Sequence, residues 1–196
     1  MKNMNNIPDF KSSKSAKEFK ELGYSYITNV LSKDTCIEFA KDMLFMKAVN
    51  ILDKENKAML SAEDTDKVKF NSPYGVGGFP KMENYLKHIT KPLGDKLGVK
   101  WEPANSYSRI YYNGGMLGEH IDKPSLNYTL SITLLSTINK PWPLYVIDKK
   151  GNEVNADIKM GDGLLILGSK MKHWRQPLVC NPDQCVIQLF FHWTNQ

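Results

Sequence analysis

The sequence predicts an α+β protein of mainly β structure, in which an N-terminal helical layer packs on one sheet of a C-terminal β-sandwich or barrel. Apolar residues recur at helical spacing in the first hundred positions. From residue 101 onward, short apolar or alternating runs lie between Gly, Pro, Asn and Asp clusters. A chain of 196 residues fits a single domain. We divide 1–196 into a loose arm (1–15), mainly helical support with a lid (16–100) and the β core (101–196).

The N-terminal elements follow from local signals. Residues 15–22 favour a helix, and 24–27 favour a short strand. Ser32 or Asp34 would cap a second helix. Its apolar positions recur at helical spacing: Cys36, Ile37, Phe39, Ala40, Met43 and Leu44.

The sequence pattern of the remaining residues predicts one further helix followed by several strands. Residues 81–97 predict a helix that is interrupted near Pro92, because proline removes a backbone donor. The strand-like runs that follow lie at 106–112, 126–135, 143–147, 163–167 and 185–193.

Composition excludes several functional classes. The net charge of +5 is spread along the chain without a basic block, which gives little support to nucleic-acid binding. No apolar run approaches the roughly 18 residues of a membrane span, and residues 1–20 contain no secretory apolar stretch. The three cysteines are Cys36, Cys180 and Cys185, an odd number without zinc-type spacing. We therefore expect free thiols in a reducing, cytoplasmic compartment.

Three polar residues predict a metal site. His120 and Asp122 are two positions apart, so in an extended segment their side chains project to the same side. His173 follows a later glycine-bounded apolar run and supplies a third candidate ligand. Two imidazoles and one carboxylate leave coordination positions open, as in non-haem Fe(II) oxygenases. The spacing alone also allows a turn histidine, a capping aspartate and an unrelated half-buried histidine.

Four motifs carry a family resemblance. They lie at 107–115, 117–125, 161–168 and 173–175. Together they resemble the Fe(II)- and 2-oxoglutarate-dependent dioxygenases, most closely the prolyl-hydroxylase-like branch, over roughly residues 106–193.

The resemblance implies a fold and a chemistry. The fold would be a double-stranded β-helix, a jelly roll of the cupin kind. His120, Asp122 and His173 would bind Fe(II), and the cosubstrates would be 2-oxoglutarate and O2, with ascorbate as a candidate reductant. The reaction would hydroxylate a C–H bond and release succinate and CO2. A peptidyl or free amino acid such as proline is the first expectation for the substrate, and a small metabolite the second.

The sequence departs from the family at the carboxylate anchor. Relatives carry Arg or Lys shortly after the distal histidine, where this chain has Pro182, Asp183 and Gln184. Of the 26 basic residues only two are arginines, and both lie within the motifs. Arg175, two residues after His173, is the first candidate anchor, since a guanidinium binds a carboxylate through two hydrogen bonds. It could instead pair with Asp183 on the surface.

Arg109 is the second candidate anchor, with a structural clamp on the opposite sheet as its alternative. It shares a strand face with Tyr111, which matches a tyrosine that in relatives hydrogen-bonds the cosubstrate. Thr133 and Gln188 are further candidates for cosubstrate binding. Thr133 belongs to a hydroxyl series with Thr129 and Ser131, which equally suits an ordinary polar sheet face.

The glycine-rich segment 72–80 predicts a lid, with Tyr74 or Phe79 contacting the substrate. A flexible surface connection explains it as well. His192 is expected to be a core or edge histidine and His88 a solvent-facing one. Two other functions remain open: a non-catalytic cupin-like module that binds metal or a ligand, and an accessory protein that uses its sandwich only for interaction.

Overall fold

The computed structural model describes residues 9–49 and 74–196, within which the chain forms three helices and eleven strands. The helices are α1 Ala16–Leu22, α2 Lys33–Ala48 and α3 Pro80–Leu97. The strands are β1 Lys11–Ser12, β2 Tyr24–Thr28, β3 Tyr74–Gly77, β4 Trp101–Tyr111, β5 Leu117–His120, β6 Tyr128–Ser136, β7 Leu144–Ile147, β8 Glu153–Ala156, β9 Gly163–Ile166, β10 His173–Arg175 and β11 Val186–Asn195. No helix in these ranges is long and apolar enough to cross a membrane.

The strands form two antiparallel sheets, consistent with a jelly roll. The larger sheet has the order β1-β2-β9-β6-β11-β4-β3, and the smaller has the order β5-β10-β7-β8. Leu164 and Ile166 of the larger sheet pack with Leu144 and Val146 of the smaller one, forming a core between the two layers. The predicted sandwich is therefore present.

The central strands of the larger sheet are apolar on one face and largely polar on the other. In β6 and β11, Ile132, Leu189 and Phe191 join a core that includes Phe39 of α2 and Leu86 of α3. Their alternating neighbours form the opposite, inner face: Thr129, Ser131, Thr133, Gln188 and His192. The helices thus cover the apolar outer face, and the polar face turns towards the smaller sheet. Because 50–73 lies outside the described residues, a helical support across the whole of 16–100 stays a prediction, as does the single-domain division.

The helix ends agree with their capping signals. Ser15 and Glu18 form a capping box at α1, and Gly23 ends that helix in a left-handed conformation with φ 83°. Ser32, rather than Asp34, caps α2, because its hydroxyl accepts a hydrogen bond from the backbone N–H of Thr35.

The loose arm and the interruption of α3 were wrong in part. Within 1–15, Lys11–Ser12 pairs with β2, and Phe10 is buried. A strand of two residues is too short to show a period. Helix α3 continues through Pro92, because Ile89 and Leu93 on either side are fully buried against the sheet, and this packing offsets the proline penalty.

The predicted lid is in part a strand. Tyr74–Gly77 pairs with β4 at the edge of the larger sheet, while 72–73 lies outside the described residues. A Cβ on Gly75 would lie 2.2 Å from the Tyr107 hydroxyl oxygen, and one on Gly77 would lie 3.3 Å from the Tyr107 ring. These two glycines therefore make room for a tyrosine on the neighbouring strand and do not act as hinges.

Gly75→Ala is expected to destabilise the protein by about 1–3 kcal/mol, the usual cost of overpacking, because the Tyr107 ring must move. That ring also carries the hydroxyl that accepts a hydrogen bond from Arg109 Nη2 at 2.9 Å. Urea unfolding of the single variants and of Gly75→Ala/Tyr107→Ala measures the coupling. The cost of Gly75→Ala should nearly vanish in the Tyr107→Ala background. An equal cost in both backgrounds would contradict the close approach.

Candidate metal centre and adjoining pocket

Two short strands bring the histidines of the candidate site together. His120 ends β5, and His173 begins β10, which pairs with β5 so that the two residues are opposite each other. Their ring centroids lie 4.2 Å apart. Asp122 follows β5 by two residues, and the ligand atoms of all three side chains lie within 4.8 Å of one another. The residues that the sequence singled out therefore converge on one point.

Backbone carbonyls fix the orientation of both imidazoles. His120 Nδ1 lies 2.8 Å from the carbonyl oxygen of Gly118, and His173 Nδ1 lies 3.0 Å from that of Met171. Because a carbonyl only accepts, each Nδ1 must carry the proton in these bonds. Each Nε2 then keeps its lone pair. Nε2 of His120 is 3.5 Å and Nε2 of His173 is 3.7 Å from Asp122 Oδ1.

Asp122 is held in its charged form. Burial raises the pKa of its carboxyl, but the interactions with the neighbouring His120 and His173 side chains and the hydrogen bond from the Thr129 hydroxyl outweigh burial and place the pKa well below its usual range. Two imidazole nitrogens and one ionised carboxylate oxygen suit a divalent ion such as Fe(II) and leave further coordination positions open. Within 9–49 and 74–196 this is the only such cluster. The side chains present therefore fit a metal ion.

Arg175 lies two residues after His173 in β10 and, like His173, is buried, with 2% of its surface exposed. Its Nη2 donates to Gln188 Oε1 at 3.1 Å, its Nη1 donates to the carbonyl of Trp142, and its guanidinium lies 4.8 Å from the Trp142 ring centroid. Burial lowers its pKa to about 10, although the charges of Tyr111 and Asp157 act in the opposite direction. No carboxylate in the described part of the chain forms an ion pair with it, so the surface pairing with Asp183 is not formed.

Three polar atoms of the sandwich have no hydrogen-bond partner in the described part of the chain. The Tyr111 hydroxyl, Ser131 Oγ and Arg175 Nε are buried without a hydrogen-bond partner among the residues that the structure describes. Burial raises the pKa of Tyr111, against which the positive charges of both Arg109 and Arg175 act. Buried polar groups without partners are rare in folded proteins and point to a missing ligand or water.

Thr133 and Gln188 complete the network. They are opposite each other in the sheet, and Gln188 is also opposite Arg109. Gln188 Nε2 donates to Thr133 Oγ1 at 2.9 Å, and Thr133 Oγ1 donates to the carbonyl of Ile158 at 2.8 Å. A cavity of about 340 Å³ borders Thr133, Gln188 and Trp142. Three of the cosubstrate candidates, Arg175, Gln188 and Thr133, are thus joined by hydrogen bonds, and Arg109 is opposite Gln188 within the larger sheet.

Tyr74 and Phe79 are not brought to the metal centre. Tyr74 is opposite Ile110 and packs with it in the helix-side core, where Phe79 also lies. The Tyr74 ring contacts Tyr112, with centroids 5.7 Å apart, and Lys47 lies 4.7 Å above it. Both aromatic residues therefore lie on the face of the larger sheet that points away from the triad.

The sequence analysis assigned no role to two residues of the site. Trp142 holds Arg175, but nothing in its local sequence marks it. Gly168 is the last residue of one of the motifs, and its carbonyl accepts a hydrogen bond from the Asp122 backbone N–H at 2.9 Å.

His192 is buried, as expected for a core histidine. It is opposite Thr129 on the inner face and bonds Asn105, with 2.8 Å between Nδ1 and Oδ1.

Comparisons with known proteins place this geometry in a fold family. No family model and no curated protein matches the sequence. Among solved structures, a prolyl-4-hydroxylase from Pseudomonas putida aligns with a TM-score of 0.68 at 11% identity, over 93% of this chain and 97% of that chain. A Trichoplax adhaerens prolyl hydroxylase, solved with a hypoxia inducible factor peptide, aligns with a TM-score of 0.66 at 14% identity, over 92% and 87%. The non-haem, alpha-ketoglutarate-dependent carbocyclase SnoK of nogalamycin biosynthesis aligns with a TM-score of 0.64 at 12% identity, over 94% and 84%.

These structures match nearly the whole of both chains at very low sequence identity, so what they share with this protein is the arrangement of the backbone. The resemblance inferred from the motifs is thereby confirmed at the level of the fold. The chain has the fold of the Fe(II)- and 2-oxoglutarate-dependent oxygenases, a group that includes the prolyl hydroxylases.

Proposed function

We propose that this protein is an Fe(II)- and 2-oxoglutarate-dependent dioxygenase that hydroxylates a C–H bond of its substrate. The observation that carries the proposal is the convergence of His120, Asp122 and His173, with both Nε2 atoms and one carboxylate oxygen directed to one point. A sandwich used only for interaction has no need of imidazoles oriented in this way.

Each part of the site has a role in this reaction. His120, Asp122 and His173 hold the iron. When bound, iron and 2-oxoglutarate supply the oxidising chemistry: one oxygen atom of O2 enters the substrate, the other enters succinate, and CO2 is released. The protein's own residues bind and orient. Arg175 would bind the far carboxylate of the cosubstrate, and the unpartnered hydroxyls of Tyr111 and Ser131 would be able to donate hydrogen bonds to it.

The network behind Arg175 fixes this anchor. Gln188 and the Trp142 carbonyl each accept one hydrogen bond from it and so hold the guanidinium plane. Thr133 supports Gln188 in turn. A buried cation without an acidic partner is costly to maintain unless an anion binds it. Arg175 thereby takes the place of the Arg or Lys that this chain lacks at the usual position, and Arg109, opposite Gln188 in the sheet, is a second positive charge that acts on Tyr111.

The proposed substrate is a peptidyl or free amino acid, with proline first. Support comes from the similarity to prolyl hydroxylases, one of them solved with a peptide. The carbocyclase of the same fold acts in a biosynthetic pathway, so a small metabolite is the second candidate.

Anaerobic titration of the Fe(II)-loaded protein with 2-oxoglutarate tests the proposal. We expect a saturable visible charge-transfer band, because a keto acid chelated to Fe(II) absorbs there and neither component does so alone. O2 should then convert 2-oxoglutarate to succinate slowly, and faster with a prolyl peptide if proline is the substrate. Bound iron without the band or succinate would favour the non-catalytic binding module instead.

A further inference from the structure

The two oxygens of the Asp122 carboxylate have different surroundings. Oδ1 faces the Nε2 atoms of both histidines, at 3.5 and 3.7 Å. Oδ2 accepts a hydrogen bond from Thr129 Oγ1 at 2.5 Å. The carboxylate therefore presents one oxygen to the candidate metal position and has the other engaged by the larger sheet.

Thr129 is a rigid donor. It is 4% exposed and lies in β6, where it is opposite Ile166 of β9 and His192 of β11. Strands on both sides fix its backbone, and a β-branched side chain has few χ1 choices. Its hydroxyl is thus held in place before any metal binds.

The Cα of Gly168 lies close to Oδ2 and leaves no room for a side chain there. A Cβ at this position would lie 2.2 Å from Asp122 Oδ2 and 2.4 Å from Thr129 Oγ1. Gly168 is not among the residues with positive φ, so its backbone conformation does not require glycine. The requirement comes from the close approach of the carboxylate, which the Gly168 carbonyl also fixes through the Asp122 N–H at 2.9 Å.

We propose that Thr129 and Gly168 are positioning residues that hold Asp122 as a one-oxygen metal ligand. This inference rests on the proposed metal site. A carboxylate that binds through both oxygens occupies two positions on the ion. With two imidazoles, that leaves too few positions for a two-atom cosubstrate chelate together with O2. Thr129 and Gly168 form a cradle that holds Oδ2 away from the ion. The cradle thereby keeps open the three coordination positions that the cosubstrate chelate and O2 need together.

Co(II) titration of the metal-free protein, with neither 2-oxoglutarate nor substrate, tests the cradle. Thr129→Val removes the hydroxyl at nearly constant size and should weaken Co(II) binding about 10–100-fold, as loss of an outer-shell partner does. It should also change the ligand-field bands of bound Co(II), since Oδ2 is released towards the metal. Thr129→Ser should restore both. Gly168→Ala should weaken binding at least as much, because the methyl group displaces the carboxylate.

Thr90→Val is the matched control. Thr90 is a buried threonine of α3 whose hydroxyl bonds Leu86 and Trp193, so its loss costs stability without touching the cradle. Its Co(II) affinity and bands should equal those of the wild type. If Thr129→Val fails to give the wild-type near-ultraviolet circular dichroism, Thr129→Ala, which adds no methyl group against Oδ2, is measured in its place.

The outcomes separate the two proposals. Wild-type affinity and bands in the folded Thr129 variant, together with lost binding in Asp122→Ala, overturn the cradle and leave the metal site standing. Wild-type affinity in Asp122→Ala overturns the metal site itself. Weakened binding with changed bands, restored by serine and absent in Thr90→Val, supports the cradle.

Discussion

Asp122→Ala and His173→Ala are each expected to abolish tight binding of Fe(II) or Co(II). Each variant removes one of three donor atoms that lie within 4.8 Å of one another. Loss of a group that merely supports a ligand weakens binding about 10–100-fold, so we expect loss of a ligand to exceed about 100-fold. Asp122 should be the more severe case, because it is the only negative charge in the cluster. Anaerobic isothermal titration of the metal-free protein measures both.

Asp148→Ala is a suitable control for the lost carboxylate. Asp148 lies in the turn between β7 and β8, where its Oδ1 accepts hydrogen bonds from the backbone N–H groups of Lys150 and Asn152. Its pKa is lowered too: burial raises it, but these hydrogen bonds outweigh burial. Its removal should reduce stability and leave metal affinity unchanged. Metal affinity in Asp122→Ala equal to that of Asp148→Ala would mean that the ion binds elsewhere.

The triad could be predicted because short sequence patterns mark each of its residues. His120 and Asp122 are two residues apart, and His173 follows a glycine-bounded apolar run that becomes β9. The sandwich could be predicted because residues in β6 and β11 alternate between an apolar face, which packs against the helices, and a largely polar face, although both faces are buried. Strand β10 has only three residues, too few for a pattern, and it was not among the predicted strand-like runs.

The parts that could not be predicted depend on cross-strand partners. Gly75 and Gly77 were assigned to a lid because nothing near them in sequence reveals that Tyr107 packs across both. The partners of Arg175 come from Trp142 and Gln188, and the partner of Asp122 Oδ2 comes from the next strand along the chain. Close approaches of this kind are set by strand register, which a single sequence does not state.

Arg175→Ala is expected to remove most of the affinity for 2-oxoglutarate while the iron stays bound. Hydrogen bonds to a charged group contribute about 1.5–3 kcal/mol, so loss of the anchor should raise the Kd roughly 10–150-fold. The chelate band should then need correspondingly more 2-oxoglutarate to saturate. Ligand-dependent stabilisation, about 2.7 kcal/mol for the wild type at a hundredfold excess over its Kd, should fall to about 0.3–1.4 kcal/mol for the variant at the same concentration.

Two further variants test whether the loss of 2-oxoglutarate affinity is due to the Arg175 guanidinium. Arg175→Lys keeps a positive charge but offers no planar fork to hold both the Trp142 carbonyl and Gln188, so it should bind more weakly than wild type and more tightly than alanine. Arg109→Ala should have the smaller effect, because Arg109 donates to Tyr107, whereas Arg175 is bonded to Gln188 and lies against Trp142, two residues that border the cavity. If Arg109→Ala abolishes binding and Arg175→Ala does not, the anchor is Arg109. Arg175 would then be a structural cation that fixes Trp142 against β11.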